Sequence, residues 1–403
     1  MDRPFLPYGR QLIEDDDIAA VADVLRSDYL TTGPVVDAFE AKLAEIAGAR
    51  HAISVSSGTA ALHVAALAAG LKPGDIAVVP TMTFLATANA ALYAGAEVRF
   101  ADVDPDTGLL TAETFERALA EAGPAARAVL PVHVNGHVAD MRAITAVPGA
   151  AGLCVIEDAC HALGGKHMGP ANAMVPVGSN AFADMSIFSF HPVKTVAMGE
   201  GGAITTNDDG LADQLRILRN IGMTRDAGRF EVPEQAFDAG GEVNPWYYEM
   251  AALGFNYRAS AIHCALGLSQ LAKLERFAAR RTELMMRYRD RLAALAPVVR
   301  PIVQAPDCEP GWHLCVVTVD FAAAGTTRAD VMRALQERGV GTQVHYIPVH
   351  RQPYYRKRYG DIDLPGGDAY YDKVLSLPLF VSMEDGDVDY VVETLADVLG
   401  AGG

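Results

Sequence analysis

The residues with the clearest chemical potential lie in one stretch, Ser-Phe-His-Pro-Val-Lys, at residues 189–194. An apolar run of β type, Ile187 to Phe190, ends at His191 and Pro192, and proline cannot continue a hydrogen-bonded ladder. Lys194 therefore follows a predicted strand end, where a rigid element holds it partly out of water. Because its neutral amine is the nucleophile, a lysine in this setting suits a Schiff base with an aldehyde cofactor.

The surroundings of Lys194 support a ligand site. Ser189 supplies a hydroxyl and His191 an imidazole, and a Gly-Glu-Gly-Gly turn at residues 199–202 allows the backbone to approach a ligand closely. A rival class is a phosphate- or nucleotide-binding protein in which Lys194 clamps a phosphate. The chain has no Gly-x-x-x-x-Gly-Lys-Ser/Thr loop, which weakens that alternative.

A second candidate is Asp158, at the end of the apolar run that begins at Leu153. Ligands of open α/β sheets bind at the carboxyl ends of the strands. A carboxylate there suits a pyridine nitrogen, because it keeps that nitrogen protonated and the ring can then act as an electron sink. The alternative role is a helix cap. His161 follows three residues later.

A third candidate is the turn Ser-Ser-Gly-Thr at residues 56–59, between a predicted strand, Ala52 to Ser57, and an alanine-rich helix. Free backbone N–H groups at a helix N-terminus bind phosphate, and Gly58 and Thr59 stand at that position. An ordinary N-cap explains the same residues equally well.

The elements that position these residues alternate between strand and helix up to Asp158, which predicts an α/β fold with a mostly parallel sheet covered on both faces. Later segments read as a long loop over residues 223–244, a long helix over 266–295 and a smaller α+β unit from about residue 301. The predicted elements also include a helix beginning at Pro80, strands at 314–319 and 343–346, a helix at 327–338, and a last helix with a capping-box pattern at 382–385.

Composition excludes several classes of protein. The chain has 403 residues, of which 50% are hydrophobic and 21% charged, as in a globular enzyme with room for two domains. A net charge of −17 disfavours nonspecific binding to nucleic acid or anionic membranes. No apolar run has membrane-spanning length, the N-terminus lacks an apolar signal core, and the five cysteines form no C-x-x-C metal pair. We expect a cytoplasmic protein with reduced thiols, no metal, and neither a nucleic-acid nor a membrane partner.

The Ser-Phe-His-Pro-Val-Lys segment followed by Gly-Glu-Gly-Gly-Ala closely resembles the cofactor-lysine segment of the DegT/DnrJ/EryC1/StrS sugar aminotransferases. That family consists of fold type I enzymes that use pyridoxal 5′-phosphate (PLP). The resemblance covers nearly the whole chain and implies a large PLP-binding domain with the N-terminal segment, residues 1–265, and a small α+β domain, residues 266–403. The sequence departs from the family pattern at Ala197 and Met198, and again at Ala261 and His263.

The resemblance also implies roles for individual residues. Lys194 holds PLP, Asp158 faces the pyridine nitrogen, and Phe84 covers one face of the ring. His161 belongs to the site through the family pattern Glu-Asp-Ala-x-His/Gln, which matches residues 157–161. Gly58, Thr59 and Ser189 surround the phosphate. Asn256, in a Gly-x-Asn-Tyr-Arg segment, reaches the neighbour's cofactor phosphate, which implies a homodimer with shared active sites.

The resemblance further implies amino transfer, because the family's dehydratases carry histidine in place of this lysine. The subgroup most similar aminates a UDP-linked 4-keto-6-deoxy-N-acetylhexosamine with L-glutamate, on the pseudaminic acid route. Another nucleotide-linked keto sugar, with a 3-keto group or a dTDP or GDP carrier, and a non-catalytic PLP-binding regulator remain alternatives. The candidate substrate-binding residues are His191, Arg258, His345 and Tyr346, and the further candidate cations for a diphosphate are Arg10, Arg351, Arg356, Lys357 and Arg358.

Overall fold

The computed structural model describes residues 3–400. The helices of this part are α1 Asp15–Arg26, α2 Pro34–Ala47, α3 Gly58–Ala68, α4 Leu85–Tyr93, α5 Ala112–Ala122, α6 Met141–Thr145, α7 Asp209–Arg219, α8 Pro233–Ala236, α9 Ala261–Leu271, α10 Leu274–Leu292, α11 Arg328–Glu337, α12 Pro353–Tyr359, α13 Pro365–Lys373 and α14 Asp385–Val398.

The strands are mostly short. They are β1 His51–Val55, β2 Ile76–Pro80, β3 Glu97–Ala101, β4 Ala126–Val129, β5 Cys154–Asp158, β6 Lys166–Met168, β7 Met174–Pro176, β8 Met185–Ser189, β9 Gly202–Thr206, β10 Met223–Thr224, β11 Glu249–Met250, β12 Val299–Pro301, β13 Cys308–Glu309, β14 Cys315–Val319 and β15 Val374–Leu377.

Seven strands form the central sheet, in the order β1-β9-β8-β5-β4-β2-β3. The pairs from β8 through β3 are all parallel, whereas β9 is antiparallel to both of its neighbours. The mostly parallel sheet predicted from strand–helix alternation is therefore confirmed. Since all strands except β9 point the same way, the chain leaves them at one edge of the sheet.

Both faces of this sheet are covered by apolar helices, and a separate core lies in the C-terminal part. Ile156, Ile187 and Ile204 pack with the alanine-rich face of α3 on one side. The second core contains α10, α11 and α14 against the antiparallel sheet β12-β14-β15, with Tyr288 and Leu335 fully buried. An α/β unit and a smaller α+β unit result, as expected for fold type I. The boundary at residues 265/266 stays a prediction.

The N-terminal segment lies on the C-terminal core. Leu6 is buried in that core, and its backbone N–H and carbonyl bond to Gly339 and Gly341 at 2.8 Å each. The sequence-based division assigned the N-terminal segment to the large unit, and this division stays a prediction; Leu6 contacts the C-terminal core.

The long helix predicted over residues 266–295 is wrong in one respect, because it is two helices, α9 and α10. Residues 272 and 273 form a turn between the two helices, and Lys273 has φ −102° and ψ −1°. The ammonium of Lys273 lies 2.8 Å from Asp17 and 3.2 Å from Glu14 of the α1 region. A tertiary ion-pair cluster thus accompanies the break.

Other predicted elements also differ. No strand spans residues 343–346: Gln343 alone makes a bridge, to Ser376, and residues 343–347 line one cavity. Helix α4 begins at Leu85, because the backbone N–H and carbonyl of Thr81 bond to Ala101 and Val349 instead of to a helical turn. The last capping box pairs Glu384 with Asp387, and residues 223–244 contain short elements. None of the helices within residues 3–400 combines the length and the apolar character that spanning a bilayer requires.

Candidate active site

A cavity of about 630 Å³ lies where the parallel strands end. Ser57 follows β1, Thr83 follows β2, Val132 follows β4, Asp158 ends β5 and Ser189 ends β8. Residues 343–347 and His313 form the opposite wall, from the C-terminal part of the chain. The cavity is therefore enclosed between the central sheet and the C-terminal unit.

Lys194 lies in the wall of this cavity. Its backbone N–H donates to the carbonyl of His191 at 2.8 Å, while its ammonium has no hydrogen-bond or ion-pair partner among residues 3–400. Loss of contact with water lowers the pKa of Lys194, and nearby Cys160 and Asp158 partly oppose that shift. A lysine with lowered pKa and an unpaired amine is suited to react with an aldehyde.

Asp158 is almost fully buried, and both of its carboxylate oxygens accept hydrogen bonds. Thr87 of α4 donates its hydroxyl to Oδ2 at 2.6 Å, and the backbone N–H of Cys160 donates to Oδ1 at 3.2 Å. Thr87 in turn lies 2.7 Å from the hydroxyl of Thr83. The residues that directly follow Asp158 form turns and lead into β6, so the helix-cap alternative for this aspartate is wrong.

The N-terminus of α3 combines the two roles considered for residues 57–59. Ser57 is the N-cap, because its hydroxyl accepts from the N–H of Ala60 at 3.1 Å. The N–H groups of Gly58 and Thr59 remain without a partner among residues 3–400. A Cβ on Gly58 would lie 2.9 Å from the Cβ of Ser189, so only glycine allows this approach. Two free amides and a nearby hydroxyl fit a phosphate.

Three aromatic side chains meet beside these groups. The Nε2 atom of His161 lies 2.9 Å from the hydroxyl of Tyr346, and the ring centroid of Phe84 lies 6.0 Å from that of Tyr346. Phe84 is 54% exposed, which leaves an aromatic face free at the cavity. The peptide bond between His345 and Tyr346 is cis.

Most of the candidate cations are not available in the cavity. Burial lowers the pKa of His345 to about 3, so this imidazole lines the cavity in its neutral form. The guanidinium groups of Arg351, Arg356 and Arg358 lie 2.7, 2.6 and 2.5 Å from carboxylates and outside the lining. Arg10 and Lys357 do not line it either. Lys194 is the one lysine or arginine among the lining residues that the structure describes.

Two predicted site residues lie away from this cavity. Asn256 pairs with Asn220 through its backbone, and Arg258 donates to the side-chain oxygen of Asn220 at 2.6 Å. Neither lines the cavity of its own chain. His191, by contrast, is exposed and lines it.

Several residues of the site were missed by sequence reasoning. They are Tyr8, Thr83, Thr87, Asn135, Cys160, Glu200 and His313. Glu200 lies in the Gly-Glu-Gly-Gly turn at residues 199–202, and Cys160 lies between Asp158 and His161. Thr87 and Asn135 carried no comparable signal, because their partners are 71 and 26 residues away in the chain.

The mostly parallel sheet, with a lysine and an aspartate converging at its strand ends, defines a PLP-dependent enzyme of fold type I. The donor set fits this cofactor, since free amides match its phosphate and the buried carboxylate of Asp158 matches its pyridinium. Residues 11–396 match the model of the DegT/DnrJ/EryC1/StrS aminotransferase family. The chain belongs to this family, and it is a PLP-dependent aminotransferase.

Relatives and solved structures match over nearly the full chain. The spore coat polysaccharide biosynthesis protein SpsC of Bacillus subtilis (strain 168) is 39% identical over 398 residues, 98% of this chain and 97% of SpsC. The PLP-form of Spr1654 from Streptococcus pneumoniae has a TM-score of 0.85 and 25% identity, covering 99% and 100% of the two chains. Helicobacter pylori PseC, an aminotransferase involved in the biosynthesis of pseudoaminic acid, has a TM-score of 0.85 and 25% identity, covering 98% and 100%.

Proposed function

We propose that this aminotransferase transfers the amino group of L-glutamate to a UDP-linked 4-keto-6-deoxy-N-acetylhexosamine. The observation that carries the proposal is the meeting of Lys194 and Asp158 in one cavity of about 630 Å³. That volume lies within the range of small-molecule sites, roughly 300–1,000 Å³. PseC, whose name links it to the biosynthesis of pseudoaminic acid, supports a sugar as acceptor.

The proposed assignments follow the contacts in the cavity. Gly58, Thr59 and Ser189 would hold the phosphate of PLP, Asp158 its pyridine nitrogen, and Phe84 and His161 its ring. When bound, PLP supplies an electron sink for negative charge that develops next to the reacting nitrogen. Asp158 is held for this role by Thr87 and by the N–H of Cys160.

Lys194 has a second role in the proposal, as proton carrier. An amine with a lowered pKa is neutral in a larger fraction of molecules and can accept a proton from the amino donor's carbon. With glutamate, the resulting ammonium would pass that proton to the cofactor carbon. With the keto sugar, the same amine would act in the opposite direction and carry a proton from the cofactor carbon to the former keto carbon. Because no other side chain bonds the Nζ atom among residues 3–400, this amine is free to move between the two positions.

The proposed assembly is a homodimer with shared sites. The cavity of one chain is lined by the carboxylates of Asp158 and Glu200 but by no arginine from the described residues. Both glutamate and a diphosphate are anionic, so cations from elsewhere are needed. We propose that a second copy supplies Asn256 and Arg258.

An apolar surface near these two residues supports the same assembly. Trp246, Met250 and Leu253 are 72%, 65% and 78% exposed. Strands β10 and β11 and the backbone bond from Ile221 to Phe255 connect this surface to the Asn256 segment. Large exposed apolar side chains grouped in this way are typical of protein–protein interfaces.

Amination assays with defined sugars test the substrate. The enzyme and glutamate are incubated with UDP-linked 4-keto-6-deoxy-N-acetylhexosamines of both C5 configurations, and NMR identifies the products. We expect amination at C4 of the β-L-arabino sugar. Amination of only the D-xylo epimer, or of a 3-keto dTDP sugar, would contradict the proposed substrate, while the assignment as an aminotransferase would stand. The roles of His191, His345 and Tyr346 in sugar binding and a cytoplasmic location are parts of the same proposal.

A further inference from the structure

Asn135, in the loop after β4, organises the backbone beside the cavity. It has a left-handed conformation, with φ +65°, which asparagine adopts more readily than most residues. Its N–H donates to the Nδ1 atom of His161 at 3.3 Å. Its carbonyl accepts from the N–H groups of His313 and Leu314 at 3.2 and 3.3 Å, and its side chain donates to Tyr370 at 2.8 Å.

These contacts determine which nitrogen of His161 carries the proton. A backbone N–H can only donate, so Nδ1 of His161 accepts and is unprotonated. Burial lowers the pKa of His161 well below its usual range, and the charge of Lys194 lowers it further, so the ring is neutral. In a neutral ring the remaining proton must lie on Nε2. His161 therefore donates through Nε2 to the hydroxyl oxygen of Tyr346.

The hydroxyl hydrogen of Tyr346 is then directed away from His161. Tyr346 has no other hydrogen-bond partner among residues 3–400, and it lines the cavity. Removal from water raises the pKa of Tyr346 well above its usual range, so the phenol keeps its proton. The hydrogen bonds from the Asn135 N–H through His161 thus leave the hydroxyl of Tyr346 free to donate to a ligand.

The wall around Tyr346 indicates which ligand receives this hydrogen bond. The polar lining residues of the C-terminal wall that carries Tyr346, namely Gln343, His345 and Gln352, are uncharged, since His345 is neutral. The charged lining residues, Asp158, Lys194 and Glu200, belong to the sheet side of the cavity. A neutral polar wall matches the hydroxyl, ring and carbonyl oxygens of a sugar better than the two carboxylates of glutamate.

We propose that Tyr346 orients the keto sugar by donating its hydroxyl proton to a sugar oxygen, and that Asn135 and His161 fix the direction of that hydrogen bond. This role rests on the proposed function. Asn135 and His161 are positioning residues here, because they act on the sugar through Tyr346.

The first test concerns the proton on His161 and does not depend on activity. Protein with ¹⁵N-labelled histidine is examined by NMR, and His161 is assigned by its loss in His161→Gln. We expect an unprotonated Nδ1 and a protonated Nε2. In Asn135→Gly, which keeps the N–H and tolerates the positive φ but loses the contact with Tyr370, the same tautomer is expected. A protonated Nδ1, or a tautomer that changes in Asn135→Gly, would overturn the positioning role of the Asn135 N–H.

The second test separates sugar from donor. In Tyr346→Phe, the single-turnover reaction with the keto sugar should slow by roughly tenfold more than the single-turnover reaction with glutamate, as loss of one hydrogen bond to the ligand implies. Equal slowing of both reactions, or no slowing, would overturn the proposal. Absence of reaction with any amino donor would instead overturn the proposed function. The NMR measurement tests the hydrogen bonds of His161 independently of activity.

A third comparison checks the link between the two residues. A glutamine at position 161 can accept from the N–H of Asn135 and donate to Tyr346, whereas a leucine can do neither. The specific effect of Tyr346→Phe on the sugar reaction should therefore persist in His161→Gln and shrink to less than about twofold in His161→Leu. An equal effect in both backgrounds would show that His161 does not direct Tyr346.

Discussion

Thr87 donates its hydroxyl to Asp158 Oδ2 at 2.6 Å, and this bond joins the first turn of α4 to the end of β5. Helix α4 starts at Leu85, and the hydroxyl of Thr83, just before the helix, lies 2.7 Å from the hydroxyl of Thr87. The orientation of Asp158 is therefore set by a helix that follows a different strand.

The first prediction concerns this bond. Thr87→Val keeps the shape of the side chain but removes the donor, so Asp158 loses a charge-assisted hydrogen bond of about 1.5–3 kcal/mol. We expect at least tenfold weaker PLP binding or slower turnover. Thr87→Ser keeps the hydroxyl and is the matched control. Equal behaviour of the two variants, measured by cofactor titration and steady-state kinetics, would show that the bond is unimportant.

The second prediction concerns Lys194. The purified protein should have the visible absorbance of lysine-linked PLP, and Lys194→Ala should abolish both this band and amino transfer, because no other lysine lines the cavity among residues 3–400. Lys72→Ala, an exposed lysine after α3, is the control and should keep both. A parent protein that stays colourless after addition of PLP would contradict the assignment.

The third prediction tests shared sites by mixing inactive variants. Lys194→Ala and Asn256→Ala proteins are refolded or co-expressed together, so that some dimers contain one of each. Such a dimer has one intact site if Asn256 acts in its neighbour's cavity, and part of the activity should return. Lys194→Ala mixed with Asp158→Asn is the control and should stay inactive. Each of these changes affects the cavity of the chain that carries it, so neither site of the mixed dimer is intact. A monomer in sedimentation at micromolar concentration would contradict the shared site.

The fourth prediction concerns the break between α9 and α10. Lys273 lies 2.8 Å from the fully buried Asp17 and 2.5 Å from Asp16. Lys273→Met leaves Asp17 buried without its cation, and we expect a loss of about 3 kcal/mol in the free energy of unfolding. Lys42→Met, which removes an i,i+3 pair with Glu45 on α2, should cost under about 0.5 kcal/mol. Urea unfolding measures both, and similar losses would contradict the prediction.

The fifth prediction is the pH dependence of the same cluster. Burial alone would raise the pKa of Asp17, but hydrogen bonds from Lys273, Ser269 and neighbouring groups lower it below 3.8. Because the folded pKa is depressed, this contribution to stability is present above about pH 4 and is lost as the pH falls through the folded pKa. Asp17→Asn should therefore lose stability less steeply below pH 4 than the parent. Parallel acid-unfolding curves would contradict this.

The candidate site could be read largely from local sequence where a single strand end or turn carries the chemistry. Lys194, Asp158 and residues 57–59 each follow an apolar run, and parallel strands bring such ends to one edge of a sheet. The alternation of strands and helices likewise predicted the mostly parallel sheet.

Tertiary structure decided the features that depend on distant partners. The hydroxyl of Thr87 reaches Asp158 only after α4 packs on the sheet, and Tyr346 meets His161 across 185 residues. Burial made His345 neutral, which no local pattern indicates because desolvation depends on the whole surroundings. The helical periodicity of the sequence continues through residue 272, so the sequence predicted one helix where the structure has two. Periodicity gives no information on the distant acidic cluster that pairs with Lys273. The sequence by itself thus determined the groups at the strand ends, and the packing of distant segments determined their partners, protonation and direction.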